Sequence, residues 1–173
     1  MTAKAQANPG HQEVDLAVTY STEHSNLTSG ANFWRQGGGI ELSAQAFHGF
    51  GVAANVTGTH IGNINNGSVP LTTITTTFGP RYTWSTRKLA IFGQGLIGES
   101  HGIDGVFPSN SGALDEWNSF AIQVGGGADL RISHHFAIRA IQADWIRTQF
   151  PNGNTNVQNS FRLGAGVVVR LGR

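Results

Sequence analysis

The residues that could do chemistry in this chain are its seven histidines and its scattered carboxylates. His24, His60 and His101 fall near polar connections, as do Glu23, Glu99 and Asp104. Together they could converge on a metal ion, although solvated loop residues are the simpler reading. His134 and His135 are adjacent in a short turn, where neighbouring side chains of an extended chain point apart and do not chelate. Ser100 beside His101 is the closest approach to a nucleophile with a base, but no third orienting group stands at a readable spacing. The chain has no cysteine, which excludes disulfides, thiolate zinc sites and a cysteine nucleophile. Gly37–Gly39 and Gly125–Gly127 are not phosphate cradles, because no helix follows either run. They read as places where strands curve tightly. The expectation is therefore no catalytic residue, no metal and no cofactor.

The elements that carry these residues are strands. Period-two alternation recurs in runs of about ten residues or more, and helical spacing is almost absent. From Ser119 to Ile132 the even positions are Phe120, Ile122, Val124, Gly126, Ala128, Leu130 and Ile132. The odd positions are small, polar or charged. Phe161–Leu171 repeats the pattern, and so do Val14–Ser21, Trp34–Gln45, Phe50–Thr57 and Thr73–Tyr82. Lys88–Ser100 carries apolar residues on both faces. Phe136–Thr148 places Arg139 and Asp144 on opposite parities, which calls for a β-bulge or another register. That makes eight strands. Their connections alternate between tight turns (Phe47–Gly49, Ser85–Arg87, Ser133–His135) and long polar ones (Thr22–Asn32, Ile61–Val69, His101–Glu116, Phe150–Gln158). In an up-and-down barrel this gathers every long loop at one end.

Which face meets water is a question of composition. Charged residues are 12% of 173, against the usual roughly 25%, and hydrophobic residues are 39%. The net charge of +1 offers no field that would recruit nucleic acid. No apolar run is long enough for a transmembrane helix, a test that leaves membrane strands untouched. A water-facing sheet surface carries many Lys and Glu, whereas these strands hold one Lys, Lys88, at a strand start. The small polar face suits a crowded barrel interior, with Asp15, Arg35, Glu41, Arg81, Asp129, Arg131, Arg162 and Arg170 as its charges. Such charges must pair in a narrow lumen. Glu41 with Arg35, and Asp129 with Arg131, read as interior salt bridges. Aromatics gather near strand ends, as membrane interfaces select. Phe47, Phe50, Tyr82, Trp84 and Phe136 lie toward the short turns. Tyr20, Trp34, Trp117, Phe120, Phe150 and Phe161 lie toward the long loops. A filled lumen of eight strands leaves no wide pore.

Three stretches carry a resemblance: Val124-Gly-Gly-Gly-Ala-Asp-Leu-Arg-Ile132 with the turn Ser133-His-His135 and Phe136-Ala-Ile-Arg139, then Gln142-Ala-Asp-Trp145, then Phe161-Arg-Leu-Gly-Ala-Gly-Val167. The chain resembles the small outer-membrane β-barrels of Gram-negative bacteria, the OmpA-like and OmpX-like eight-stranded class, in an acidobacterial type. The resemblance runs from about Glu13 to Leu171. Leu171 stands where such barrels carry a terminal aromatic residue. The resemblance implies an all-β, eight-stranded antiparallel transmembrane barrel with short periplasmic turns and long extracellular loops. It implies residence in the bacterial outer membrane after removal of a signal peptide. Its implied partners are the lipid bilayer, the barrel-assembly machinery and an extracellular ligand held by the long loops. The expected organisation is a flexible segment at 1–12 followed by one barrel domain at 13–173. The expected role is structural or in surface interaction, without catalysis. The alternatives are a narrow channel for small solutes or ions, and a soluble lipocalin-like carrier of an apolar ligand with the greasy face turned inward.

Overall fold

The computed structural model describes residues 13–26, 32–64, 69–109, 112–151 and 155–171; the N-terminal segment expected at 1–12 lies outside them. Eight long strands close into one barrel: β1 (Glu13–Asn26), β2 (Asn32–Phe47), β3 (Phe50–Ile61), β4 (Leu71–Ser85), β5 (Leu89–Ile103), β8 (Trp117–Arg131), β9 (Phe136–Thr148) and β10 (Gln158–Arg170). Two short strands, β6 (Phe107–Ser109) and β7 (Gly112–Leu114), form a hairpin within the connection from β5 to β8. Each long strand pairs antiparallel with its neighbours, and β1 pairs with β10 to close the ring.

Closure requires the strands to tilt, and the register records how much. A path of paired residues runs from Leu16 through Leu42, Ala54, Phe78, Ile97, Ile122, Arg147 and Asn159. It returns to β1 at Asn26, whose Oδ1 accepts a hydrogen bond from the Asn159 amide, ten residues beyond the start. A stagger of this size goes with a strand tilt of about 35–45°.

The burial pattern is inverted relative to a water-soluble sheet. Val52, Phe78, Val124 and Val167 are all at least half exposed on the outer face. Thr77, Ser100, Gln123 and Arg139 are at most 1% exposed inside. Period-two alternation produces this directly, because successive side chains point to opposite faces. So many outward hydrophobes around one girdle exceed what a water-exposed surface tolerates.

The β9 irregularity is a bulge. Ala128 faces Ile141 while Asp129 faces Arg139, so one extra residue is accommodated at Ala140–Ile141. Both bulge residues point outward, and this places Arg139 and Asp144 together inside despite their opposite parities. The turn between β2 and β3 is two residues, His48 (φ 48°) and Gly49 (φ 89°). Positive φ at both positions is the geometry whose twist matches a hairpin. The connection expected at Thr22–Asn32 is shorter. β1 continues to Asn26 and β2 starts at Asn32, because Glu23 and Ser25 turn into a polar lumen and extend the ladder.

Candidate functional site

Two features stand out: the ionic interior and the mouth that the long connections surround. The interior is layered. Nearest the short turns, Arg170 pairs with Glu13 and lies 3.5 Å from Asp15, while Arg131 lies 4.0 Å from Glu13. Arg131 also donates to the Thr86 carbonyl and to Ser85 Oγ. These groups remain partly open to solvent. Asp15, Arg131 and Arg170 thus form a rim, below the buried network.

The next layer is buried. Glu41 Oε1 accepts from Arg81 Nη1 and from Arg139 Nη1, both at 2.6 Å, and Glu41 Oε2 accepts from Gln94 Nε2 at 2.9 Å. Asp129 receives two nitrogens of Arg139, at 2.9 and 3.2 Å. Both guanidiniums lie over the Phe92 ring, at 3.6 Å for Arg81 and 4.5 Å for Arg139. The ring needs space over its cross-strand partner on β8. A Cβ on Gly127 would come within 2.7 Å of Phe92, so this inward glycine makes room for the stack. Above it, Arg162 donates to Asp144 at 3.0 Å, and Gln142 links Arg139 to Asp144. Higher still, Arg35 pairs with Glu23 and bonds Ser25 and Thr73.

The sequence-predicted pairings differ from these. Arg35 does not reach Glu41: six residues along one strand span about 20 Å, and Arg35 takes Glu23 on β1 instead. Asp129 takes Arg139 across the β8–β9 ladder, whereas Arg131 turns to the rim. Glu23, Arg139 and Asp144 belong to the network and were not among the predicted interior charges. Glu23 stood in an expected loop, and the other two were hidden by the unplaced bulge.

The aromatics sort by parity. Trp34, Phe47, Phe50, Tyr82, Trp84, Phe120, Phe136 and Phe161 point outward. Phe47, Phe50, Tyr82, Trp84 and Phe136 sit at the short-turn ends of their strands, and Trp34, Phe120 and Phe161 at the opposite ends. Tyr20 also points outward, but from the middle of β1, where its hydroxyl donates to Gln36 Oε1 at 2.8 Å. Trp117 has inward parity on β8 and packs half-buried against an internal cluster of Phe33, Leu71, Phe107 and Phe150. Phe150 is likewise inside rather than in a belt. This apolar cluster caps the lumen at the long-loop end.

The residues weighed for chemistry lie apart. His24 packs at a tilt against Trp34, His60 Nδ1 bonds Thr72 and His101 Nδ1 bonds Asn118. They stand on three different strands, and among the described residues no three His, Asp or Glu side chains converge as a metal site. Ser100 is buried inside, sharing a hydrogen bond with Thr75, while His101 points outward. The strand pleat therefore separates that nucleophile from that base.

No family model matches the chain, and no curated protein matches it. Solved structures do match its shape. Ail, the attachment invasion locus protein of Yersinia pestis, superposes with a TM-score of 0.65 at 14% identity, covering 94% of this chain and all of that one. Neisserial surface protein A gives 0.66 at 13%, covering 91% and 97%. The outer membrane protein OprG of Pseudomonas aeruginosa gives 0.51 at 10%, covering 95% and 98%. At these identities the likeness is one of architecture. With its closed ring of eight antiparallel strands, its apolar exterior and its ionic interior, the chain has the fold of the small eight-stranded outer-membrane β-barrels.

Proposed function

We propose that this protein is an integral outer-membrane barrel with a closed lumen, acting as a structural or surface-interaction protein through its long-loop end. The observation that carries this reading is that buried side chains crowd the lumen at successive levels. At the short-turn end the cavity measures about 10 Å³, room for one water at most. The Glu41–Arg81–Arg139–Asp129 layer fills the section above it. Phe33, Leu71, Phe107 and Phe150 close the other end. Among the described residues Ser100 and His101 face opposite sides of the sheet, and the reading includes no catalysis. The outward hydrophobes make the bilayer its solvent. The barrel-assembly machinery is its expected partner during insertion.

Two of the structural neighbours are named for attachment and for the cell surface, which agrees with this role. Ail has also been solved with the heparin analogue sucrose octasulfate. A polysulfate does not suit the present chain. The stretches 27–31, 62–70, 104–116 and 149–157 contain Asp104, Asp115 and Glu116 but no Lys or Arg.

The channel reading has one observation in its favour. Gln123 Nε2, Asp144 Oδ1 and Arg162 Nη1 are buried without a hydrogen-bond partner, which marks places for internal water. Water pockets between sealed layers are not a path, and planar-bilayer recordings decide the matter. The closed barrel predicts no steady single-channel conductance. Stable conductance steps in the folded wild-type protein would replace the surface reading with the channel.

A further inference from the structure

Above the sealed lumen the barrel mouth holds a separate cavity of about 170 Å³. Its floor is Leu71 with the Phe107–Phe150 pair, whose rings stack at 5.4 Å and 28°. Ile64 and Val106 line its sides, and Pro108 and Pro151 stiffen the two chain segments that bound it. Among the described residues no charged side chain lines it. At one edge Gln158 Nε2 donates to the Asn26 carbonyl at 3.2 Å, so the rim there is amide.

We infer that this cavity is a binding site for a small, neutral aromatic molecule of one ring. The inference rests on the surface-interaction reading above and gives that reading a ligand class. An engineered cavity of about 150 Å³ lined by apolar side chains binds benzene, so the volume here matches one ring with modest substituents. Aromatic faces favour offset stacking on a further ring. An apolar chamber with a few polar atoms at its edge is the usual construction of a small-molecule site. Anions are disfavoured by Asp104, Asp115 and Glu116 in the same connection. The described walls of the site are also braced. The Gly105 amide donates to the Asp115 carbonyl at 3.2 Å, the β6–β7 hairpin braces Phe107, and the Ile64 amide donates to the Val69 carbonyl at 3.0 Å.

The test uses the refolded full chain in lipid nanodiscs, with 4-fluorophenol followed by fluorine NMR and 4-fluorobenzoate as the anionic control. Saturable line broadening by the phenol, displaced by unlabelled phenol and absent with the benzoate, is the expected result. Val106→Trp, which places an indole at the side of the cavity, should weaken binding at least tenfold while keeping the mobility shift of the folded barrel. In the wild-type protein, Overhauser contacts should connect the phenol ring to Leu71 and Val106 methyl groups, a measurement independent of how the variant folds. Broadening that rises linearly with concentration, or contacts only with lipid, overturns the site. A non-conducting barrel that binds no phenol overturns the cavity alone. A conducting barrel that binds it overturns the surface role and leaves the cavity standing.

Discussion

Glu41 holds one negative charge between two guanidiniums in a place without bulk water. Burying such a cluster is costly in itself, and breaking it is costlier, because the remaining charges lose their compensation. Glu41→Gln leaves Arg81 and Arg139 facing a neutral amide. The expected loss is about 3–5 kcal/mol, the range for removing one partner of a buried pair, read as a lower urea midpoint for unfolding from phospholipid vesicles. Glu13→Gln removes the carboxylate of a partly exposed rim pair and should cost no more than about 1 kcal/mol. Equal effects at the two sites would mean that the interior layer is hydrated like the rim. Which residues face inward was legible from alternation. Which of them pair was not. Partners come from different strands, and the stagger that aligns them is a property of barrel closure, absent from any single strand's sequence.

At the scale of the element, β9 shows what alternation alone could not resolve. Arg139 and Asp144 have opposite parity, yet both lie inside, and the extra residue at Ala140–Ile141 makes that possible. The sequence signalled the irregularity but not its position, because two successive outward apolar residues read equally well as a change of register. Deleting Ala140 and Ile141 together removes one ladder position as well as the bulge. With the upper half of β9 held in register, every residue from Phe136 to Arg139 then exchanges faces. Arg139 would meet lipid, at a cost of about 2–4 kcal/mol near the bilayer midplane, and would abandon Glu41 and Asp129. The expected result is loss of the compact, heat-sensitive band on unboiled gels. A deletion variant that folds normally would show that β9 has no fixed register. The connection expected at Thr22–Asn32 failed for a related reason. From Thr22 to Asn26 both faces are polar, with Thr22, His24 and Asn26 outward, so no alternation of hydrophobicity marks the strand there. The Phe33–Leu71–Phe107–Phe150 cap was equally hard to foresee, since its members come from four separate segments.

For the whole molecule, the central claim is that the apolar face is the outside. Everything else depends on it: the ionic interior, the aromatic ends of the strands and the closed lumen. A soluble carrier would use the same alternation with the faces exchanged, so the decision belongs to solvent. The arrangement of this structure, with Arg139, Gln123 and Leu96 at 0% exposure inside and Val124 at 51% outside, commits the chain to lipid. The most direct measurement is refolding from urea with and without phospholipid vesicles, followed by comparison of boiled and unboiled samples on a gel. β-rich circular dichroism and a mobility shift on boiling are expected only when lipid is present. A compact, β-rich monomer in plain buffer would contradict it.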